Sequence, residues 1–144
     1  MASHLVRLFF DDFYMKEIRR ICSKYKVLLI HDEVMSGAGR TGKFLASNHY
    51  GSAQPDIVIL AKGIAAGYTP MGAVLTSDDV VNAITSAGGF SNGFTYFTYP
   101  LSCAVGRAVV QEIVECDLIN NATDRGEELK ELLEALKEQC EYIG

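Results

Sequence analysis

From Tyr14 to Lys26 the apolar residues recur at helical spacing. Tyr14, Ile18, Ile21, Cys22 and Tyr25 share one face, and Lys16, Arg19, Arg20 and Lys24 lie elsewhere. This predicts an amphipathic helix over 14–26. The pattern then changes. Val27-Leu28-Leu29-Ile30 is apolar throughout, as in a strand buried on both faces of a parallel sheet. Pro55 introduces a second such run, Ile57–Ala61, and Gly72–Thr76 predicts a third strand. Between them lie glycine-rich loops over 35–43 and 63–69 and a short helix over 44–50. Ser77 can cap a helix that opens with Asp78-Asp79, two acids at its positive end. After an aromatic and glycine-rich loop, 88–99, Pro100 suits the first turn of a helix running to Cys116. The last helix, 121–140, places Leu129, Leu132, Leu133 and Leu136 on one stripe, read as a core stripe.

Helices alternating with short apolar strands make this an α/β chain with a mainly parallel sheet and flanking helices. Ligands of such sheets bind beyond the carboxyl ends of the strands. Eleven of the 13 glycines lie between Gly37 and Gly106, in and around the loops there.

Composition narrows the class. At 144 residues, 49% apolar and 22% charged, the chain reads as one globular domain rather than a disordered or low-complexity segment. The net charge of −5 sits wholly in residues 117–144, which hold eight acids and three bases, whereas residues 1–116 balance at ten and ten. With no basic stripe, nucleic acid is not the expected partner. The longest apolar run, Ile57–Ala61, is too short to cross a bilayer. The stretch Leu5–Phe10 carries Arg7 in its middle and ends in Asp11-Asp12, so it reads as no signal peptide. Cys22, Cys103, Cys116 and Cys140 form no CxxC pair and no metal-like cluster. They are expected to be free thiols of a cytoplasmic protein.

Two motifs invite a nucleotide. Gly37-Ala38-Gly39-Arg40-Thr41-Gly42 fits GxGxxG, with Asp56 nineteen residues after Gly37. The dinucleotide fingerprint, however, needs its first glycine directly at a strand end. Here Asp32 and Glu33 intervene, poor neighbours for a pyrophosphate. Gly37-x4-Gly42-Lys43 nearly makes a P-loop, but Phe44 stands where Ser or Thr should bind Mg²⁺. The plainer reading is a tight loop that passes close to other backbone.

Asp32 follows the first apolar run and Lys62 follows the second. If those strands are parallel neighbours, both side chains reach one crevice. A lysine amine can condense with a carbonyl, and a carboxylate can pair with a protonated ring nitrogen. Together these are a protein's main levers on pyridoxal phosphate. Spacing alone favours something simpler, an Asp–Lys ion pair or two solvated loop charges.

The wider sequence changes that balance. Leu28-Leu29-Ile30-His31-Asp32-Glu33-Val34-Met35-Ser36-Gly37-Ala38-Gly39-Arg40-Thr41-Gly42-Lys43 resembles the core signature of the class-III pyridoxal-phosphate aminotransferases. So do Pro55-Asp56 through Ala61-Lys62-Gly63 to Ala73-Val74, and Gly93-Phe94-Thr95-Tyr96 through Pro100 to Ala104. The resemblance implies part of a fold-type-I large domain over 14–144, with 1–13 unmatched. It implies that Lys62 is the catalytic residue, holding pyridoxal 5'-phosphate as an internal aldimine and then shuttling a proton. Asp32 would bind the pyridine nitrogen, Val34 would pack on the ring, and Thr95 would bind the phosphate, in a homodimer reaching into the neighbouring site. The implied reaction moves an amino group from an amine or ω-amino acid to a 2-oxo acid. The same fold also supports aminomutases and decarboxylases. Glu33 and His31 are read as structural, Arg40 and Thr41 as shaping the loop.

Asn92, where the family usually has His, and Phe97-Thr98-Tyr99 depart from the family pattern. The resemblance further implies an internal piece of a longer chain, lacking an upstream half-domain and a C-terminal small domain. Two alternatives stay open: a non-catalytic remnant of that family, and a nucleotide-binding α/β domain built on the Gly37–Gly42 loop.

Overall fold

The first helix, α1, spans Asp12–Tyr25 and buries Met15. It stops where Lys26 turns left-handed at φ 55°. There the Lys26 N–H donates to Ser23 O and the Val27 N–H to Cys22 O, the paired bonds that close a helix C-terminus. The computed structural model describes residues 12–140 and 142. The segment read as unmatched lies outside the described residues as far as residue 11, and His4 with it.

Strand β1 covers only Ile30–Asp32, β2 covers Ile57–Ala61 and β3 covers Gly72–Thr76. The sheet order is β1-β2-β3. β1 runs parallel to β2, with Ile30 opposite Ile57 and Asp32 opposite Ile59. β3 returns antiparallel, with Ala61 opposite Gly72, so the sheet is mixed. A latch sets the β1–β2 register at its start. The Leu29 N–H donates to Asp56 Oδ2 at 2.7 Å, and the Asp56 N–H donates to Leu29 O at 2.9 Å.

Two expectations about burial are corrected. The run 27–30 does not form a strand buried on both faces: Val27, Leu28 and Ile30 are exposed. Among the described residues β1 lies at the edge of the sheet, and only the central strand receives neighbours on both sides. The leucine stripe Leu129–Leu136 is likewise exposed. The core instead gathers around β2, where Val58, Leu60 and Ile64 are buried against Ala38, Phe44, Leu45, Met71 and Ala73. Val58, Leu60 and Ile64 each contribute about 1.5–3 kcal/mol on burial.

The remaining helices are α2 (Asp78–Ser86), α3 (Pro100–Glu115, with Pro in its first turn) and α4 (Leu118–Lys137). α4 begins three residues earlier than the sequence reading, immediately after left-handed Asp117. The short helix expected over 44–50 is a 3₁₀ helix, Ala46–Tyr50. Among the described residues, no helix is long and apolar enough to cross a membrane.

Candidate functional site

Because β1 and β2 are parallel neighbours, their carboxyl ends open on the same edge. Asp32 is the last residue of β1, and Lys62 follows the last residue of β2 as the first of a 3₁₀ helix, Lys62–Ala65. Lys62 has φ 48°, in the left-handed region. For a residue with a Cβ that conformation costs roughly 1–2 kcal/mol, and such strain concentrates at functional sites. Ile64 and Ala65 of the same 3₁₀ helix are 4% and 1% exposed. The Lys62 side chain itself is exposed.

Asp32 and Lys62 form no ion pair among the described residues; both are exposed, as two solvated charges at neighbouring strand ends would be. Asp32 Oδ1 accepts the Val34 N–H at 3.0 Å, which orients the carboxylate and leaves Oδ2 uncommitted among the described residues. Val34 is half-buried.

Glu33, between them, does something else. It is 3% exposed. Its Oε2 accepts the Ala46 N–H at 2.6 Å and its Oε1 the Ser47 N–H at 2.8 Å. Its own N–H donates to Ile59 O, and its carbonyl accepts the Gly37 N–H, both at 2.9 Å. The reading of Glu33 as a backbone-binding residue agrees with this. Close approach holds the rest of the loop. A Cβ on Gly37 would lie 2.4 Å from Leu60 Cδ2, and one on Gly63 would lie 2.9 Å from Ala38 Cβ.

A cleft of about 650 Å³ opens beside this loop. Val34, Ala38, Arg40 and Lys62 line one side, and Ile113, Leu118 and Ala122 line the other. Of the residues singled out from sequence, the structure brings Val34 and Lys62 into this cleft, while Asp32 stands at the neighbouring strand end outside its lining. Thr95 is exposed in the segment 88–99, on a turn and not among the residues that line the cleft. The α3–α4 wall was missed. Ile113 on α3 and Leu118 and Ala122 on α4 look like packing residues, and nothing in their types marks a cleft.

His31 faces away from Asp32, as alternation along a strand requires. Burial lowers its pKa below the ordinary imidazole value, against the opposing pull of Glu33. The nucleotide motifs lose their supports. Asp56 lies at the other end of β2, bound to Arg19 Nη1 at 2.7 Å and to the Leu29 amide. The glycine loop leads into a five-residue 3₁₀ helix rather than a long helix, and Phe44 packs against the core. No cluster of three or more potential metal ligands occurs among the described residues.

Comparison with known proteins adds an independent finding. The family model for class-III aminotransferases matches residues 8–144. A putrescine–pyruvate aminotransferase of Pseudomonas aeruginosa is 46% identical over 94 residues, covering 65% of this chain and 20% of that protein. An uncharacterized aminotransferase of Bacillus subtilis is 36% identical over 132 residues, covering 91% of this chain and 30% of that protein. The structure of a taurine:2-oxoglutarate aminotransferase from Bifidobacterium kashiwanohense, in complex with PLP and glutamate, superposes with a TM-score of 0.82. It is 37% identical and covers 88% of this chain and 28% of that one. The chain therefore spans less than a third of the length of these relatives.

Proposed function

Because this chain belongs to the class-III aminotransferase family, we propose that it binds pyridoxal 5'-phosphate at the carboxyl ends of β1 and β2. As part of such an enzyme it moves an amino group from an amine or ω-amino acid to a 2-oxo acid. The observation that carries this reading is Lys62: an exposed amine on left-handed backbone at a strand end, opening on the cleft beside Val34.

The donor set fits the group. Among the described residues Lys62 supplies a primary amine without a partner, Asp32 an oriented carboxylate with one oxygen available, and Val34 an apolar face. When bound, pyridoxal phosphate supplies an electron sink. Asp32 would hold the pyridine nitrogen side of the group, and Val34 would pack against its ring and exclude water from one face. Lys62 would hold the group through its aldehyde and, once the substrate amine has displaced it, its free Nζ would carry the proton of the amine-bearing carbon. Thr95, on its exposed turn, is assigned to the phosphate of a neighbouring subunit in a homodimer. The donor class is supported by the amines named in the relatives, putrescine and taurine. The four free thiols support a cytoplasmic setting.

An absorbance titration tests the cofactor assignment. Pyridoxal phosphate added to the wild type should give a visible band that Lys62→Ala abolishes. Asp32→Asn should weaken binding about tenfold, the loss of one charge-assisted hydrogen bond. A band of equal strength in Lys62→Ala would contradict the assignment. Transfer of nitrogen from an amine donor to pyruvate then measures turnover directly.

A further inference from the structure

Glu33 is buried to 3% exposure, yet it forms no ion pair among the described residues. Both oxygens are taken by consecutive backbone donors, Ala46 and Ser47, at 2.6 and 2.8 Å. A buried carboxylate is costly unless its oxygens are satisfied, and here the two bonds join the ends of the loop 34–45. The Glu33 backbone makes two more ties, its N–H to Ile59 O on β2 and its carbonyl to the Gly37 N–H. Asp32 and Val34 flank this four-way anchor. The Val34 N–H in turn holds Asp32 Oδ1.

We propose that Glu33 is a positioning residue for the cofactor site: its carboxylate ties the loop 34–45 shut and so fixes the orientation of Asp32 and the placement of Val34. The proposal rests on the preceding assignment of those two residues to pyridoxal phosphate. Glu33 touches neither cofactor nor substrate. It acts through the segment that does, as supporting residues around a site generally do.

Glu33→Gln is the test. The amide can still accept one backbone N–H but turns an NH₂ group toward the other. Titration with pyridoxal phosphate should show about tenfold weaker binding than wild type. The visible band should also shift toward that of Asp32→Asn, because Asp32 then pairs less well with the ring nitrogen. Hydrogen exchange on the cofactor-free chain gives a second readout. The amides of Ala46, Ser47 and Val34 should speed up together in Glu33→Gln, while the β2–β3 ladder stays protected.

Ala46→Pro covers the case in which Glu33→Gln does not fold. It deletes one of the two donors at the first position of its 3₁₀ helix, where proline is tolerated. It follows Leu45, already extended at φ −113° and ψ 136° as a residue before proline must be. The same weakening and the same faster Val34 exchange are expected. If the wild type binds at Lys62 while both variants keep its affinity, band and Val34 exchange, the role of Glu33 is overturned and the cofactor assignment stands. If the wild type itself does not bind, the cofactor assignment falls, and Val34 exchange alone decides the brace: unchanged exchange in the variants overturns it.

Discussion

Asp56 illustrates how a single carboxylate sets register at a distance from the chemistry. Its Oδ2 accepts the Leu29 amide and the Arg19 guanidinium, each at 2.7 Å, joining α1, β1 and β2 at one point. The Leu29 amide first, and then Arg19, hold its carboxyl below the usual range. The folded pKa lies below the unfolded value of about 3.9. The stabilisation is therefore fully present above that value and is lost as pH falls through the folded pKa. Asp56→Asn should cost about 1 kcal/mol at pH 7 in urea unfolding, and the gap to wild type should close as pH drops below about 4. A gap of constant size down to strong acid would contradict this. At the same scale, the positions of Lys62 and Asp32 were legible because a charged residue at the carboxyl end of an apolar run is visible in the sequence. The left-handed backbone of Lys62 was not, since Ala61-Lys62-Gly63 carries no mark of which residue takes the positive φ. The two acids Asp32 and Glu33 look alike as letters, and only strand alternation and burial separate an exposed carboxylate from a buried one.

The elements that were read well are those with chemical punctuation. Pro100 opens α3, Asp78 and Asp79 open α2, and β2 and β3 fall on their predicted residues. The elements read less well are those whose environment decides. The run 27–30 has the composition of a buried strand, but strand order places β1 at an edge, and sequence does not disclose strand order. The stripe on α4 has the periodicity of a core face, and periodicity does not say whether a neighbour is there to cover it. The glycine loop shows the converse: its irregularity was legible, but its purpose at Gly37 is contact. An alanine there would press on Leu60 Cδ2 and on Glu33 O, at 2.4 and 2.9 Å. Gly37→Ala should destabilise the chain by about 1–3 kcal/mol, as forced insertion into packed structure does, read from the midpoint of urea unfolding. A loss near zero would show that the loop does not need its close seat on β2.

For the whole molecule, the small core around Val58, Leu60 and Ile64 is surrounded by apolar side chains left open. Val27, Leu28 and Ile30 lie exposed at one side of the sheet, Val74 and Leu75 on β3, and four leucines along α4. The chain spans less than a third of the relatives it matches. What it does contain is the pair of parallel strand ends that presents Asp32, Val34 and Lys62. The α/β class and the placement of Asp32 and Lys62 at neighbouring strand ends were legible because alternation of helix and apolar strand, with charged residues at strand ends, is a property of the sequence itself. The cleft wall from α3 and α4 was not, because it depends on where two helices fold back. The central claim is that Lys62 is the one amine this fold prepares for a carbonyl. Incubation with pyridoxal phosphate, reduction with borohydride and peptide mapping by mass spectrometry tests it most directly. The account predicts a single reduced adduct on Lys62, lost in Lys62→Ala; adducts spread over Lys16, Lys24, Lys43 and the other surface lysines, with no preference for Lys62, would contradict it.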